Sequence, residues 1–362
     1  MFYTCSPAAP AHEGHAHPKP RRVRGLTVDI HCHVQSTAAQ ALIAPHFAIE
    51  KEPSLYYATP QTRDINRQQM ADIADQITNA ARRIADMDRL GIDIQAISPA
   101  PPQYFYWAEP DVGRETARLI NDNLAAIVAA HPDRFVAMGA LPMQVPELAV
   151  TELRRCVKEL GMRGIELGTN VNGEELAAPR FAPVFAVAEE LGILIFLHPM
   201  GFTEGRRLSA HYFNNVIGNP LDSTVAIAHL IFEGVLDRHP GLKICIAHGG
   251  GYVPMYSGRY DHVWRARADG HVHLKRRPSE AIRQLYFDTV VFEPDQLEYL
   301  VRRYGADHVL LGSDYPYDMA EPDPVGFIDR TPKLTAKDRA RIKGLNAAEL
   351  LGIDVKARRR KR

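Results

Sequence analysis

The chain carries three His-x-His triplets, His15/His17, His31/His33 and His271/His273, and only the middle one ends an apolar run, LTVDIHCHV over residues 26–34. In an extended strand residues i and i+2 point to the same side. His31 and His33 therefore project together while Cys32 points away, and two imidazoles on one face can chelate a divalent metal. The triplet at 15–17 has no strand around it, and the one at 271–273 sits among Gly, Lys and Arg in a predicted loop. Three further apolar runs end in groups of the same kind. ILIFLHP reaches His198, LKICIAH ends in His248 before three glycines, and HVLLGSD ends in Asp314. Taken singly, each has a plain structural reading, since a His before Pro or an Asp before Tyr-Pro can serve a turn. Taken together, imidazoles and a carboxylate are costly to bury unless a metal or an opposite charge offsets the cost. Three or four N/O ligands with an open position suit a catalytic Zn²⁺. Mn²⁺, iron or another divalent metal is compatible with the same donors.

These residues need a scaffold that brings distant strand tips together. Eight short apolar runs fit buried parallel strands: residues 26–33, 92–98, 135–142, 163–168, 193–199, 242–248, 285–291 and 308–314. They are near-continuous hydrophobics, as strands covered on both faces should be. Helical patterns alternate with them at 74–91, 113–132, 146–161, 182–192, 223–241, 295–305 and 335–352. This alternation predicts an α/β fold, a single (β/α)₈ TIM barrel over residues 25–352. An open doubly wound sheet is the runner-up, but no GxGxxG follows the first strand. Long connections at 34–73 and 199–222 leave the C-terminal ends of the first and fifth strands, the face on which barrels build active sites. Residues 1–24 are read as a flexible extension and 353–362 as a basic tail.

Bulk composition narrows the function. Lys+Arg and Asp+Glu both number 43, for a formal net charge of zero. No global charge steers the chain to nucleic acid or an anionic membrane, and the basic KARRRKR stretch is local. No apolar run approaches the ~20 residues that span a bilayer, and the N-terminus lacks the apolar core of a signal peptide. The four cysteines, Cys5, Cys32, Cys156 and Cys245, have no paired spacing. A reducing, cytoplasmic location is expected.

With HxH on the first strand, His on the fifth and sixth and Asp on the eighth, the sequence resembles the amidohydrolase superfamily. It is most similar to the branch typified by aminocarboxymuconate-semialdehyde decarboxylase. The resembling segments include DIHCH, MDRLGIDIQAIS, HPDRFVAMGALP, GIELGTNVNG, FLHP, IAHGGGYVPMYSGRY and LLGSDYPY, spread from residue 26 to about 330. The resemblance implies that His31, His33, His198 and Asp314 bind one Zn²⁺ and that His248 is a catalytic acid/base. It implies that Arg259 reads a substrate carboxylate, in some members from the neighbouring subunit of a dimer, so a homodimer is expected. The family decarboxylase also uses an arginine in the loop after the first strand, where this chain offers Arg63 and Arg67. Glu166 stands where many relatives have an uncharged residue. It is a second-metal ligand or, on the more economical reading, a supporting or structural group.

The chemistry expected is non-oxidative decarboxylation of a small unsaturated or aromatic carboxylic acid, with no organic cofactor. A carbon next to the carboxylate must be protonated before CO₂ leaves, and Asp314 or His248 is placed to deliver that proton. Arg259 has the planar fork for a carboxylate, and Tyr317, closing SDYPY, is a candidate substrate contact. Two alternatives remain at this level. One is a metal-dependent hydrolase of a lactone or amide on the same barrel. The other is a non-catalytic module with a structural metal, against which the cysteine-poor donor set speaks.

Overall fold

In the computed structural model, residue 23 and residues 25–355 are described. The extension and most of the basic tail expected from sequence, with the 15–17 triplet, lie outside them. Eight strands run in parallel: β1 (Val28–Val34), β2 (Ile94–Pro99), β3 (Phe135–Gly139), β4 (Gly164–Leu167), β5 (Leu194–Leu197), β6 (Lys243–Ile246), β7 (Tyr286–Asp288) and β8 (Val309–Leu310). Each pairs with the next in chain order. The last returns to the first. Ile30 N–H donates to Leu311 O at 3.0 Å and His33 N–H to Tyr315 O at 2.9 Å. The sheet is therefore a closed barrel, which removes the open doubly wound alternative.

All eight predicted strands are present, but most are shorter than their apolar runs. ILIFLHP forms strand only over Leu194–Leu197, so His198, whose N–H still donates to Leu167 O at 2.9 Å, and Pro199 stand at its tip. Several helices are divided where the sequence pattern ran on. The Asn79 side chain accepts from Ala81 N–H and caps Ala80–Leu90, splitting the 74–91 pattern. Gly234, at φ 69°, separates Gly218–Phe232 from Val235–Arg238. The connection at 34–73 is mostly helical, with turns at Thr37–Ile43, Pro53–Tyr56 and Pro60–Asp72. Ser36 and Thr59 accept backbone N–H groups at two of their N-termini, the capping that Ser and Thr favour.

β1 does not keep one phase. Its register against β2 slips between Asp29↔Gln95 and Cys32↔Ile97, one residue more on β1 than on β2. Below the slip, Val28 and Ile30 pack with Leu194, Phe196 and Cys245 inside the barrel. Above it, Cys32 and Val34 pack in the layer between barrel and helices. The extra residue rotates the tip, so that His31 and His33 take over the inward face. Bulges commonly re-aim side chains beside active sites.

A buried polar network pins this tip to its neighbours. Asp29 Oδ2 accepts from Ser313 Oγ at 2.6 Å and from Gln95 Nε2 at 3.0 Å. Its Oδ1 accepts from Ser313 N–H at 3.0 Å and His31 N–H at 3.2 Å. Arg83, buried and stacked over the Tyr315 ring, donates to Gln95 Oε1 and to His33 O. Removing the Ser313 hydroxyl deletes one of the buried hydrogen bonds to the Asp29 carboxylate, at a cost of about 1–3 kcal/mol. Ser313→Ala is expected to lower the thermal unfolding midpoint by that amount of stability, read by calorimetry, whereas the exposed Thr78→Ala is expected to change it far less.

Candidate metal centre

Four of the five expected strand-tip residues meet at the mouth of the barrel. One potential ligand atom from each of His31, His33, His198 and Asp314 lies within 4.8 Å of the others, and all four residues are buried. Asp314 Oδ1 is 3.3 Å from His31 Nε2 and 3.2 Å from His33 Nε2. His31 Nε2, His33 Nε2 and both ring nitrogens of His198 are buried without a hydrogen-bond partner. Such orphaned polar atoms are rare in native proteins and ask for a partner. Three imidazole nitrogens and a carboxylate oxygen facing one point fit a divalent ion. The charges agree. Burial disfavours a charged His31, yet Asp314 and Asp288 outweigh it and push its pKa up to about 10. Burial would raise Asp314, but His31 and its neighbours hold it well below the usual carboxylate range. Burial and the surrounding imidazoles push His198 well down. The carboxylates favour positive charge, while His198 is kept neutral as a ligand must be.

Other groups set the ring orientations. Asp288 Oδ2 accepts from His31 Nδ1 at 2.6 Å, leaving Nε2 directed to the centre. The same carboxylate accepts from His248 N–H at 3.0 Å and Gly249 N–H at 2.7 Å. Asp288 thus ties a metal-facing imidazole to the loop of the fifth residue. It sits inside the predicted strand LYFDTVV, where an apolar run gave no signal of its role. His33 Nδ1 donates to Pro99 O at 3.0 Å.

His248 stands beside the four. Its Nε2 is 3.6 Å from Asp314 Oδ2. His248 and Asp314 have φ of 55° and 64°, a region sparsely used by non-glycine residues and frequent at functional sites. The following glycines allow the turn. A Cβ on Gly249 would lie 2.3 Å from Val291 Cγ1, and one on Gly251 would lie 2.3 Å from Pro220 O. Both have positive φ.

Glu166 does not join the four ligands. Tyr104 Oη donates to its Oε1 at 2.5 Å, and Oε2 is 3.8 Å from His33 Nδ1. It therefore takes the supporting position behind His33. Tyr317 lines the cavity over the centre, its ring 5.5 Å from that of His33 and its hydroxyl buried without a partner. Arg259 is not brought to the cavity of its own chain. It is exposed on helix Val253–Ala266. Neither loop arginine lines the cavity: Arg63 donates to Leu55 O and Tyr56 O, and Arg67 pairs with Asp64 at the surface.

The cavity over the centre is about 680 Å³. Among the described residues lining it there is no Lys or Arg; amides are frequent, with Gln35, Gln40, Asn66 and Gln69 from the connection after β1 and Asn214 and Asn219 from the connection after β5. Glu52 also lines it and accepts from Trp107 Nε1 at 2.6 Å. Its burial pushes the pKa up to about 7. None of these loop residues stood out in the sequence, since polar residues in a loop are ordinary.

The Amidohydrolase family profile matches residues 28–353. The chain belongs to the amidohydrolase family. It is 37% identical over 273 residues to a 2-amino-3-carboxymuconate-6-semialdehyde decarboxylase of Dictyostelium discoideum, covering 75% of this chain and 76% of that one. The crystal structure of 5-carboxyvanillate decarboxylase LigW from Sphingomonas paucimobilis superposes with a TM-score of 0.82 at 25% identity, covering 91% and 99% of the two chains. A dihydroxybenzoic acid decarboxylase from Polaromonas sp. JS666, with bound manganese and the inhibitor 2-nitroresorcinol, has the same fold at a TM-score of 0.78 and 24% identity, with 92% and 99% covered. The expected branch and barrel are borne out, and the chain is a carboxy-lyase of this superfamily.

Two outcomes follow from the site. Asp288→Asn is expected to weaken Zn²⁺ or Mn²⁺ binding to the apo protein by about 10–100-fold, measured by calorimetric titration; unchanged affinity would show that His31 needs no such support. Glu52 is protonated when buried at low pH, so its unfavourable ionisation appears only above the unfolded value of 4.5. Wild-type stability should fall by on the order of 3 kcal/mol between about pH 4.5 and 7 from this group. In Glu52→Gln that part of the pH dependence should vanish from denaturant unfolding curves.

Proposed function

We propose that this enzyme decarboxylates a small aromatic or unsaturated carboxylic acid at a single divalent ion held by His31, His33, His198 and Asp314. The observation that carries the reading is the set of orphaned imidazole nitrogens facing Asp314, with His248 beside it. When bound, the ion supplies positive charge for substrate oxygens and for negative charge developing on the substrate. Zinc is the first choice on donor type, and manganese is the competing metal.

His248 is the group we assign to proton transfer. Its imidazolium protonates the carbon that bears the carboxylate. The C–C bond then breaks, CO₂ departs, and the bonding electrons restore the unsaturated system of the product. Asp314 holds His248 by charge at 3.6 Å. Tyr317 and the apolar wall position the flat body of the substrate.

The carboxylate-reading cation comes from a second copy on this reading. The cavity lining described here holds no Lys or Arg, while Arg259 is exposed beside Met255 and Tyr256, which are 50% and 56% exposed. A homodimer in which each protomer's Arg259 enters the other's cavity satisfies both. Free, buried thiols at Cys32, Cys156 and Cys245 suit the reducing cytoplasm.

CO₂ release from hydroxybenzoic and muconate-type acids, beside hydrolysis of lactones and amides, tests the activity. Hydrolysis without CO₂ release would overturn it. Stripping the metal, or His31→Ala with His33→Ala, should abolish turnover, and elemental analysis should show the metal gone. His248→Gln should retain metal while losing about 10²–10⁴-fold in kcat. Arg259→Ala and His248→Ala subunits, each inactive alone, should regain activity when mixed and re-equilibrated, because one site of each mixed dimer is complete. No recovery, or a monomer by sedimentation, would reject the shared site.

A further inference from the structure

A second cavity of about 520 Å³ adjoins the one over the metal centre. Three residues line both: Phe105, Met200 and Gly201. They form the boundary between the two spaces. The second cavity has aromatic walls in Tyr104, Tyr106 and Trp107, and polar groups at Asn170, Asn172 and Asp222. Its walls are fixed. The Tyr104 and Tyr106 rings stack at 5.6 Å. Their hydroxyls are held, one donating to Glu166 and the other accepting from Gly168 N–H. Rigid, planar apolar walls with a few polar groups at one end are the usual make-up of a small-molecule site.

The boundary itself is unusual. Phe105 is buried, 3% exposed, and holds φ at 49°. A bulky residue in this region is a genuine outlier, and such strain persists where the surroundings impose it. Its ring meets that of Trp107 edge-on at 6.0 Å. Met200, the other side chain on the boundary, is flexible and readily repacks.

We propose that the second cavity is an extension of the acid-binding site for the end of a substrate remote from its carboxylate, and that Phe105 is the partition that sets how long an acid is accepted. The inference rests on the proposed function in one respect, that the carboxylate end lies at the metal centre. With the proposed ion at the metal centre, charge favours the same orientation. The second cavity is lined by Glu50, Glu204 and Asp222 against a single Lys51, so it offers a carboxylate less than a divalent ion does. Asp222 Oδ2 accepts from Asn170 Nδ2 at 3.1 Å and from Thr169 Oγ1. The class of ligand is therefore a two-ring or otherwise elongated aromatic acid whose distal ring is neutral or carries a hydrogen-bond donor. With Phe105 in place, one-ring acids are preferred.

The chain has two tryptophans, and Trp107 lines the second cavity. In a Trp264→Phe background its fluorescence reports occupancy there. The probes are 2-hydroxybenzoate and 2-hydroxybiphenyl-3-carboxylate, titrated into metal-loaded protein whether or not CO₂ is released. Phe105→Gly removes the ring and suits the positive φ. It should bind the two-ring acid roughly tenfold or more tightly than the parent, with a Trp107 response that the parent lacks. Its affinity for the one-ring acid should show no comparable gain. Phe105→Leu, which keeps bulk, should resemble the parent. Equal gains for both acids, no gain in a variant with full metal content, or the same Trp107 response in the parent would overturn the partition. Failure of the folded, metal-loaded parent to bind either acid would instead reject the acid site on which the inference rests.

Discussion

Three imidazoles and one carboxylate buried at a common point form an electrostatic arrangement that is incomplete without a cation. Desolvation alone would expel such groups from a protein interior. Here Asp314 and Asp288 draw positive charge onto His31, while burial and its neighbours keep His198 neutral. A cation resolves both tendencies together, because it gives the carboxylate a partner and the neutral nitrogens an acceptor of their lone pairs. The rest of the molecule holds these groups where water alone would not keep them.

The holding is done largely by two other aspartates. Asp29 joins β1 to β2 and to the segment after β8, so closing the barrel and setting the histidine pair are one structural event. Asp288, at the end of β7, orients His31 and receives the backbone N–H groups of His248 and Gly249. The His248 turn and the metal-facing His31 imidazole therefore share one anchor. Precision of this kind is what positions reacting groups for catalysis.

Specificity is distributed differently. The ligands come from strand tips, whereas the cavity walls come from the helical segment after β1, the turn after β2 and the connection after β5. Such loops vary on a constant barrel, which is how one fold supports many reactions. Amides and apolar side chains, rather than cations, line this chain's own cavity.

Much of this was legible in the sequence. Eight apolar runs alternating with helical patterns are enough for a barrel, because strands buried on both faces must be apolar throughout and helices must cover them. Polar residues ending such runs stand out against that background, which is why His31, His33, His198, His248 and Asp314 were found. Three features were decided only by the tertiary structure. Asp288 and Glu52 take their roles from partners distant in sequence, His31 and Trp107, so nothing local marks them. Arg259 lies in a recognisable segment, yet it is exposed on its helix and is not among the residues lining the cavity of its own chain. The inward aim of the histidine pair depends on the register slip in β1. Alternation places His31 and His33 on one face but cannot say which face is inside, and with the phase of Val28 and Ile30 continued, Cys32 would have pointed to the metal. Side-chain period is a property of one strand; direction is a property of its pairing with the next.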